Sequence, residues 1–135
     1  MPVEKHTDSL GSLVARASAS KLVFLVFSTK DCHYCVLLRK LLPWFADTYR
    51  DQIEVIMVDV RKHPHVVTTY GIRGVPTLQV YANNEKLLSK SGKQSKKNLK
   101  EMLHIAKSKS DKLFSQNETH DSRYRGWRLG RLFGW

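Results

Sequence analysis

Two continuous apolar runs in the chain predict buried strands. The segments KLVFLVFS at 21–28 and IEVIMVDV at 53–60 are rich in Val, Ile and Phe, and short runs of this kind are typical of strands covered on both faces. The alternating segment TLQVYA at 77–82 predicts a third strand. The residues NNE at 83–85 predict a tight turn into a fourth strand, KLLSKS, at 86–91.

Apolar residues at helical spacing fill the intervals around these strands. They predict helices over 8–19, from Cys32 to about Tyr49, over 63–72 and over 95–108. Pro43 lies inside the second of these helices, where it removes a backbone hydrogen bond and should kink the helix. Helices that alternate with strands in this order predict an α/β domain with a mixed sheet and helices on both faces.

The pattern changes after about Lys107. The last segment is first polar and then dense in Arg, Gly and aromatic residues, and we find in it no helix or strand pattern long enough to extend the domain. We therefore assign residues 1–106 to the domain and residues 107–135 to a basic, aromatic-rich C-terminal tail.

Composition narrows the class of protein. A chain of 135 residues with 41% hydrophobic content is long enough for one domain with its own core, so it does not need the disulfides that small scaffolds use. No apolar stretch approaches the roughly 20 residues of a membrane span. The N-terminus has no apolar region typical of a secretory signal, and it begins with Met, so we expect a cytoplasmic protein. The net charge of +11 favours acidic partners.

The only two cysteines, Cys32 and Cys35, lie three positions apart where the first strand gives way to a helix. At a helix start, unpaired N–H groups and the helix dipole stabilise a thiolate, and the pKa of the first cysteine should fall. Such a thiolate attacks a disulfide, and the second cysteine resolves the mixed disulfide. Two alternatives remain at this point: a metal site completed by His63 and His65, or an accidental spacing.

The segment from 58 to 103 resembles the second half of a thioredoxin. YGIRGVPTL at 70–78 and SGKQSKKNLKEML at 91–103 match the motifs of that family, and CHYC lies about forty residues upstream of the first of them. The resemblance covers roughly residues 8–106 and implies a thioredoxin fold with a central mixed sheet.

The resemblance also implies roles for individual residues. Cys32 becomes the nucleophile and Cys35 the resolving thiol. Pro76 becomes a cis proline that faces the two sulfurs, and the backbone of Val75 pairs with an extended substrate segment. The resemblance places Gly74 and Gly92 with them in the substrate groove.

Several positions depart from the family pattern. The dipeptide is His33-Tyr34 where thioredoxins have Gly-Pro, and Asp31 replaces a tryptophan. A histidine beside the nucleophile can stabilise its thiolate and make the couple more oxidising, whereas the charge of Asp31 opposes the thiolate. We assign these three residues to redox tuning. Val26 and Met57 occupy the positions of the family's buried aspartate and its lysine, so no buried carboxylate deprotonates Cys35.

We therefore expect a monomeric thiol–disulfide oxidoreductase that reduces protein disulfides. It needs no cofactor other than the redox-active disulfide of Cys32 and Cys35, and no metal. Its partners are protein disulfide substrates and a reductase or other dithiol donor. The direction of electron flow stays open.

The alternative function is a binding or adaptor module. The fold would then be a scaffold, and the arginines and aromatic residues of the tail would contact nucleic acid, an anionic membrane or an acidic protein. A third interpretation is that the apolar residues of the tail pack on the domain.

Overall fold

The computed structural model describes the backbone of residues 2–118 and the side chains of residues 10–112. Helices and strands follow one another in the order α1 (Pro2–Ala17), β1 (Leu22–Ser28), α2 (His33–Thr48), β2 (Ile53–Asp59), α3 (His65–Thr69), β3 (Thr77–Ala82), β4 (Glu85–Ser91) and α4 (Lys96–Glu118). The strands begin and end within one residue of the predicted bounds. The first helix starts six residues earlier than predicted.

The four strands form one mixed sheet in the order β2-β1-β3-β4. Strand β1 pairs in parallel with β2 and antiparallel with β3, and β3 pairs antiparallel with β4. All seven residues of β1 are buried, as its continuous apolar run predicts. The predicted α/β class with a mixed sheet is confirmed.

Helices cover both faces of the sheet. On one face, α2 and α4 pack through Leu38, Phe45 and Leu99 onto side chains of β1 and β3. On the other face, Val14 of α1 and Val66 of α3 pack against β1 and β2. The sheet is therefore the middle layer between two apolar cores, which removes alternate side chains of β1 from water on opposite faces.

The hairpin between β3 and β4 turns through Asn83 and Asn84, whose φ angles are 51° and 62°. A two-residue hairpin of this kind requires positive φ at both central residues, and asparagine tolerates that region better than other non-glycine residues. The tight turn that NNE predicts is present.

Helix α4 is longer than the sequence pattern predicts. The expectation that helical structure ends near residue 108 is wrong, because α4 continues to Glu118. Ser110 continues the buried stripe of Leu103 and Ala106 at helical spacing, and a serine is too polar to register in a hydrophobic pattern. Lys109 also donates a hydrogen bond of 3.0 Å to the carbonyl of Leu87 on β4.

The boundary drawn after residue 106 therefore falls inside a helix. The division into domain and tail stays a prediction, and the arginine- and tryptophan-rich part of the tail lies outside the described residues. Within residues 2–118, no helix combines the length and the apolar character that crossing a membrane requires.

Candidate active site

Cys32 occupies the N-cap position of α2, at the end of the sheet where β1 and β2 finish. Its backbone is extended, with φ −79° and ψ 124°, and its Sγ accepts a hydrogen bond of 3.2 Å from the N–H of Cys35. The sulfur therefore takes the place of the side-chain oxygen that usually caps a helix, and it binds an N–H group that the helix cannot satisfy itself.

The thiol of Cys32 is half-buried, and its pKa is lowered from the ordinary value. Desolvation raises the pKa, but hydrogen bonds from the side chain and backbone of Cys35 and from the backbone of Tyr34, together with the charge of Arg39, outweigh that effect. The direction agrees with the prediction from the helix start, since each of these groups stabilises the thiolate.

The thiol of Cys35 is fully buried. Burial, followed by its hydrogen bond to Cys32 and the negative charge of Cys32, raises its pKa to about 11. Val26 and Met57 are paired across β1 and β2, so apolar side chains occupy the two positions at which the resemblance places a carboxylate and an ammonium. The two thiols thus differ in accessibility and in acidity.

The segment before β3 lies directly against the first sulfur. The peptide bond between Val75 and Pro76 is cis, and the Sγ of Cys32 lies 3.6 Å from the carbonyl oxygen of Val75. Gly92, with φ 90°, donates its N–H to the carbonyl of Pro76 over 2.9 Å. Gly74 accepts a hydrogen bond of 2.6 Å from the hydroxyl of Thr77. The structure therefore places the carbonyl of Val75 beside Cys32, and it joins Gly92 to Pro76 and Gly74 to Thr77 within the same segment.

The three residues predicted to tune the redox couple lie on the exposed side of the motif. His33 and Tyr34 are exposed, and their rings lie 5.7 Å apart. The groups that lower the pKa of Cys32 do not include the ring of His33. Asp31 forms a 2.6 Å ion pair with Arg61. Redox tuning by these side chains stays a prediction.

Sequence reasoning missed two arginines that shape this site. Arg39 is half-buried and donates from its two terminal nitrogens to the carbonyls of Thr29 at 2.9 Å and Lys30 at 3.2 Å. It therefore ties α2 to the loop that precedes Cys32. Its position four residues after Cys35, one helical turn away, is a signal that could have identified it. Arg61 lies thirty residues from Asp31, and no local pattern reveals that pair.

The described part of the chain contains no group of ligands for the metal site that the sequence left open as an alternative. Among residues 10–112, no cluster of three or more His, Cys, Asp or Glu side chains could hold a metal ion. His63 and His65 lie 6.1 Å apart, ring to ring, and line a cavity of about 370 Å³ with Leu10 and Val66. The two histidines therefore lie beside the apolar core that α1 and α3 cover, and not beside the cysteines.

A family model described as "Thioredoxin" matches residues 3–105. The chain belongs to the thioredoxin family. The resemblance read from the sequence is thereby confirmed.

Individual relatives agree with this assignment. The chain is 31% identical over 87 residues to the thioredoxin of Buchnera aphidicola subsp. Baizongia pistaciae, and the match covers 64% of this chain and 80% of that protein. It is 35% identical over 85 residues to the thioredoxin of Buchnera aphidicola subsp. Acyrthosiphon pisum, with coverage of 62% and 79%. The solved structure of a mutant thioredoxin from Halobacterium salinarum NRC-1 superposes with a TM-score of 0.61 at 27% identity, over 67% of this chain and 79% of that one.

Family membership and the Cys32–Cys35 spacing make the chain a thiol–disulfide oxidoreductase in general terms. The family also implies disulfide substrates and a thioredoxin reductase as partner.

Proposed function

We propose that the protein reduces disulfide bonds in other proteins, with Cys32 as nucleophile and Cys35 as resolving thiol. One observation carries the proposal: a half-buried thiol of lowered pKa at a helix N-cap lies against a fully buried thiol of raised pKa. The thiolate is the form that attacks a disulfide. The pair therefore suits a reaction in which Cys32 attacks the substrate first and Cys35 reacts only after the mixed disulfide has formed.

In the first step, the thiolate of Cys32 attacks one sulfur of the substrate disulfide. A bond forms between the Sγ of Cys32 and that sulfur, the substrate S–S bond breaks, and the released substrate thiolate takes a proton from water. The N–H of Cys35, 3.2 Å from Sγ, stabilises the attacking charge beforehand.

In the second step, Cys35 gives its proton to water and attacks the Sγ of Cys32. The mixed disulfide breaks, the second substrate thiolate leaves and takes up a proton, and a disulfide joins Cys32 to Cys35. The negative charge of Cys32 is one cause of the raised pKa of Cys35, and that charge is lost when the mixed disulfide forms. The first step thus favours the second.

The substrate has received two electrons at this point, and a dithiol donor must return two electrons to the Cys32–Cys35 disulfide. We propose that a reductase supplies them. The redox-active disulfide is the only redox group that the proposed cycle requires.

The backbone around Val75 supports a protein as substrate. Strand β3 begins its pairing at Thr77, so Val75 lies beyond the ladder, with its carbonyl beside the nucleophile. An extended peptide can add its main chain to such a segment. Gly74, Pro76 and Gly92 border the same position, and we assign them to the substrate groove.

The test is the reduction of insulin disulfides with dithiothreitol as the dithiol donor. We expect the wild-type chain to accelerate the reaction and Cys32→Ser to abolish the acceleration. The matched variant Cys35→Ser keeps the nucleophile, so when it is mixed with insulin in the absence of dithiothreitol it should accumulate a mixed disulfide with the substrate, visible by mass spectrometry. Acceleration by Cys32→Ser equal to that of the wild type, or turnover of oxidised glutathione without any turnover of insulin, would contradict the proposal.

The remaining expectations from the sequence stay proposals. They are a cytoplasmic location, a monomeric state and contact of the tail with nucleic acid, a membrane or an acidic protein. The comparisons do not favour the binding-module alternative over the oxidoreductase.

A further inference from the structure

Four loops meet at the end of the sheet that carries Cys32. They span residues 29–32, 60–64, 70–76 and 92–95. Three short contacts join them: the Sγ of Cys32 to the carbonyl of Val75, Arg61 to Asp31, and the N–H of Gly92 to the carbonyl of Pro76. The side chains of these loops therefore lie at the same end of the sheet as the position at which a substrate disulfide must arrive.

Each of the four loops carries at least one exposed cation. The cations are Lys30, Arg61, Lys62, Arg73 and Lys93, which we call the cationic ring. Asp31 is the one acidic residue within these loops, and its ion pair with Arg61 offsets its charge. Asp59, the last residue of β2, accepts a hydrogen bond of 2.9 Å from the backbone N–H of Arg61. The rim around Cys32 thus keeps a clear excess of positive charge.

The opposite end of the sheet mixes cations with acids. Lys21 and Arg50 lie there, and so do Asp47, Asp51 and Glu85. Lys86 at the start of β4 and Lys107 beside Asp111 on α4 lie there too. Lys21 donates to the carbonyl of Arg50 over 2.7 Å, and Arg50 lies 3.7 Å from Asp47. Within residues 10–112, the loops at the site end therefore carry five cations and one acid, whereas the opposite end mixes both signs.

We propose that the cationic ring selects disulfide substrates in which acidic side chains flank the reactive cysteine. This inference rests on the proposed function and specifies its substrate class. Charges attract one another over about 8 Å at physiological ionic strength, so residues beside the substrate disulfide interact with the ring as it docks. Complementary charge of this kind raises the rate of association more than it deepens the final complex.

The test uses three disulfide-linked peptides that differ only in the two residues flanking each cysteine, which are Glu, Gln or Lys. Flanking charge also alters the reactivity of the peptide itself, so each rate is divided by the rate with dithiothreitol alone. At low salt we expect the Glu peptide to exceed the Lys peptide by about tenfold in normalised kcat/KM, with the Gln peptide between them. The ratio should shrink toward one near 0.5 M salt, where screening is strong (the Debye length is then only about 4 Å).

Matched variants locate the effect. Arg73→Gln combined with Lys93→Gln removes two charges from the cationic ring, and we expect it to lower the Glu-to-Lys ratio by about threefold. Lys86→Gln combined with Lys107→Gln removes two exposed charges from the opposite end of the sheet, and it should leave the ratio unchanged.

The outcomes separate this inference from the proposed function. Equal normalised rates for the three peptides would overturn the inference and leave protein-disulfide reduction intact. An equal loss of the ratio in both double variants would overturn the assignment to the cationic ring, because net charge alone would then explain the preference. No turnover of any peptide would overturn the proposed function itself.

Discussion

The end of the sheet that carries Cys32 and the opposite end differ in what their polar groups bind. At the opposite end, Asn83 and Asn84 donate their N–H groups to the carbonyl and the hydroxyl of Ser18, each over 2.7 Å. Those bonds join one loop to another. At the site end, the N–H of Cys35 points to a sulfur, and the surrounding cations are exposed.

The two sets of hydrogen bonds affect different quantities: the free energy of unfolding at the opposite end, and the free energy of thiol deprotonation at the site end. A hydrogen bond within a protein contributes about 0.5–1.5 kcal/mol to stability, so the bonds of the opposite end stabilise the fold. The hydrogen bonds at the sulfur stabilise one protonation state of a reactive group, which changes its pKa. Variants that remove the bonds to Ser18 should therefore alter stability, and variants that remove the hydrogen bonds to the Cys32 sulfur should alter reactivity.

The largest effect expected is the difference between the two thiols. The pKa of Cys35 is raised to about 11, whereas that of Cys32 is lowered from 9.0. At pH 7 we expect iodoacetamide to label Cys32 faster by a factor of about 100 or more, since reactivity follows the thiolate fraction and Cys35 is also buried. The labelling rate of Cys32 should rise with pH and level off near or below the ordinary thiol pKa, and that of Cys35 should still be rising there.

Peptide mapping by mass spectrometry measures both rates in one sample. A chain unfolded in urea is the control, because the two cysteines should then react at similar rates. Equal labelling of the folded chain, or faster labelling of Cys35, would remove the contrast on which the proposed function rests.

The second prediction concerns the dipeptide between the cysteines. Replacing His33-Tyr34 by Gly-Pro removes the N–H of residue 34, because proline has none, and that N–H is one of the groups that lower the pKa of Cys32. The thiolate and hence the reduced form lose stabilisation, so the reduction potential should fall by about 30 mV, which corresponds to about 1.4 kcal/mol. Equilibration with glutathione buffers measures the change.

The single variant His33→Gly is the control for this substitution. It removes the imidazole and keeps the N–H of Tyr34, so a fall of equal size in both variants would assign the tuning to the histidine ring. A potential that stays unchanged in the double variant would show that the dipeptide does not tune this site.

Sequence reasoning succeeded where the signal is local. The buried run of β1, the turn at Asn83 and the cysteine spacing each depend on a few neighbouring residues, and their strands, turn and helix start are present in the structure. It failed where contacts join distant residues. The Asp31–Arg61 pair and the end of α4, which Ser110 and Lys109 fix, depend on tertiary packing that no periodicity records.

The third prediction tests the opposite end. Ser18 is 2% exposed, and its hydroxyl accepts the N–H of Asn84. Ser18→Ala removes this hydrogen bond and should lower the free energy of unfolding by about 1 kcal/mol. Urea denaturation should show a lower midpoint with an unchanged slope. The alkylation rate of Cys32 in the folded chain should not change.

Ser89→Ala is the matched control, because Ser89 is exposed on β4 and such substitutions usually change stability by less than about 0.5 kcal/mol. If Ser18→Ala unfolds at the wild-type urea concentration, the bonds of the opposite end do not carry the stability that we assign to them. If it slows alkylation of Cys32, the two ends are not independent.

The smallest effect is expected at Arg39, which contacts the site end from α2. Its guanidinium binds the carbonyls of Thr29 and Lys30, and its charge lowers the pKa of both thiols. Arg39→Gln removes that charge, so the pKa of Cys32 should rise and alkylation at pH 7 should slow by about two- to threefold, an effect that salt reduces.

Two further variants distinguish the effect of the Arg39 charge from the effect of its contacts with the loop. Arg39→Lys keeps the charge but cannot make the two-pronged contact with the loop, and Lys40→Gln removes an exposed charge from the adjacent residue of the same helix. If charge alone acts, Arg39→Lys should alkylate at the wild-type rate. If the loop must also be held, Arg39→Lys should be as slow as Arg39→Gln, with a wild-type pH midpoint for the labelling reaction. If Lys40→Gln slows alkylation as much as Arg39→Gln does, any cation on this helix is enough to lower the pKa of Cys32. The position and contacts of Arg39 would then have no particular role at the site.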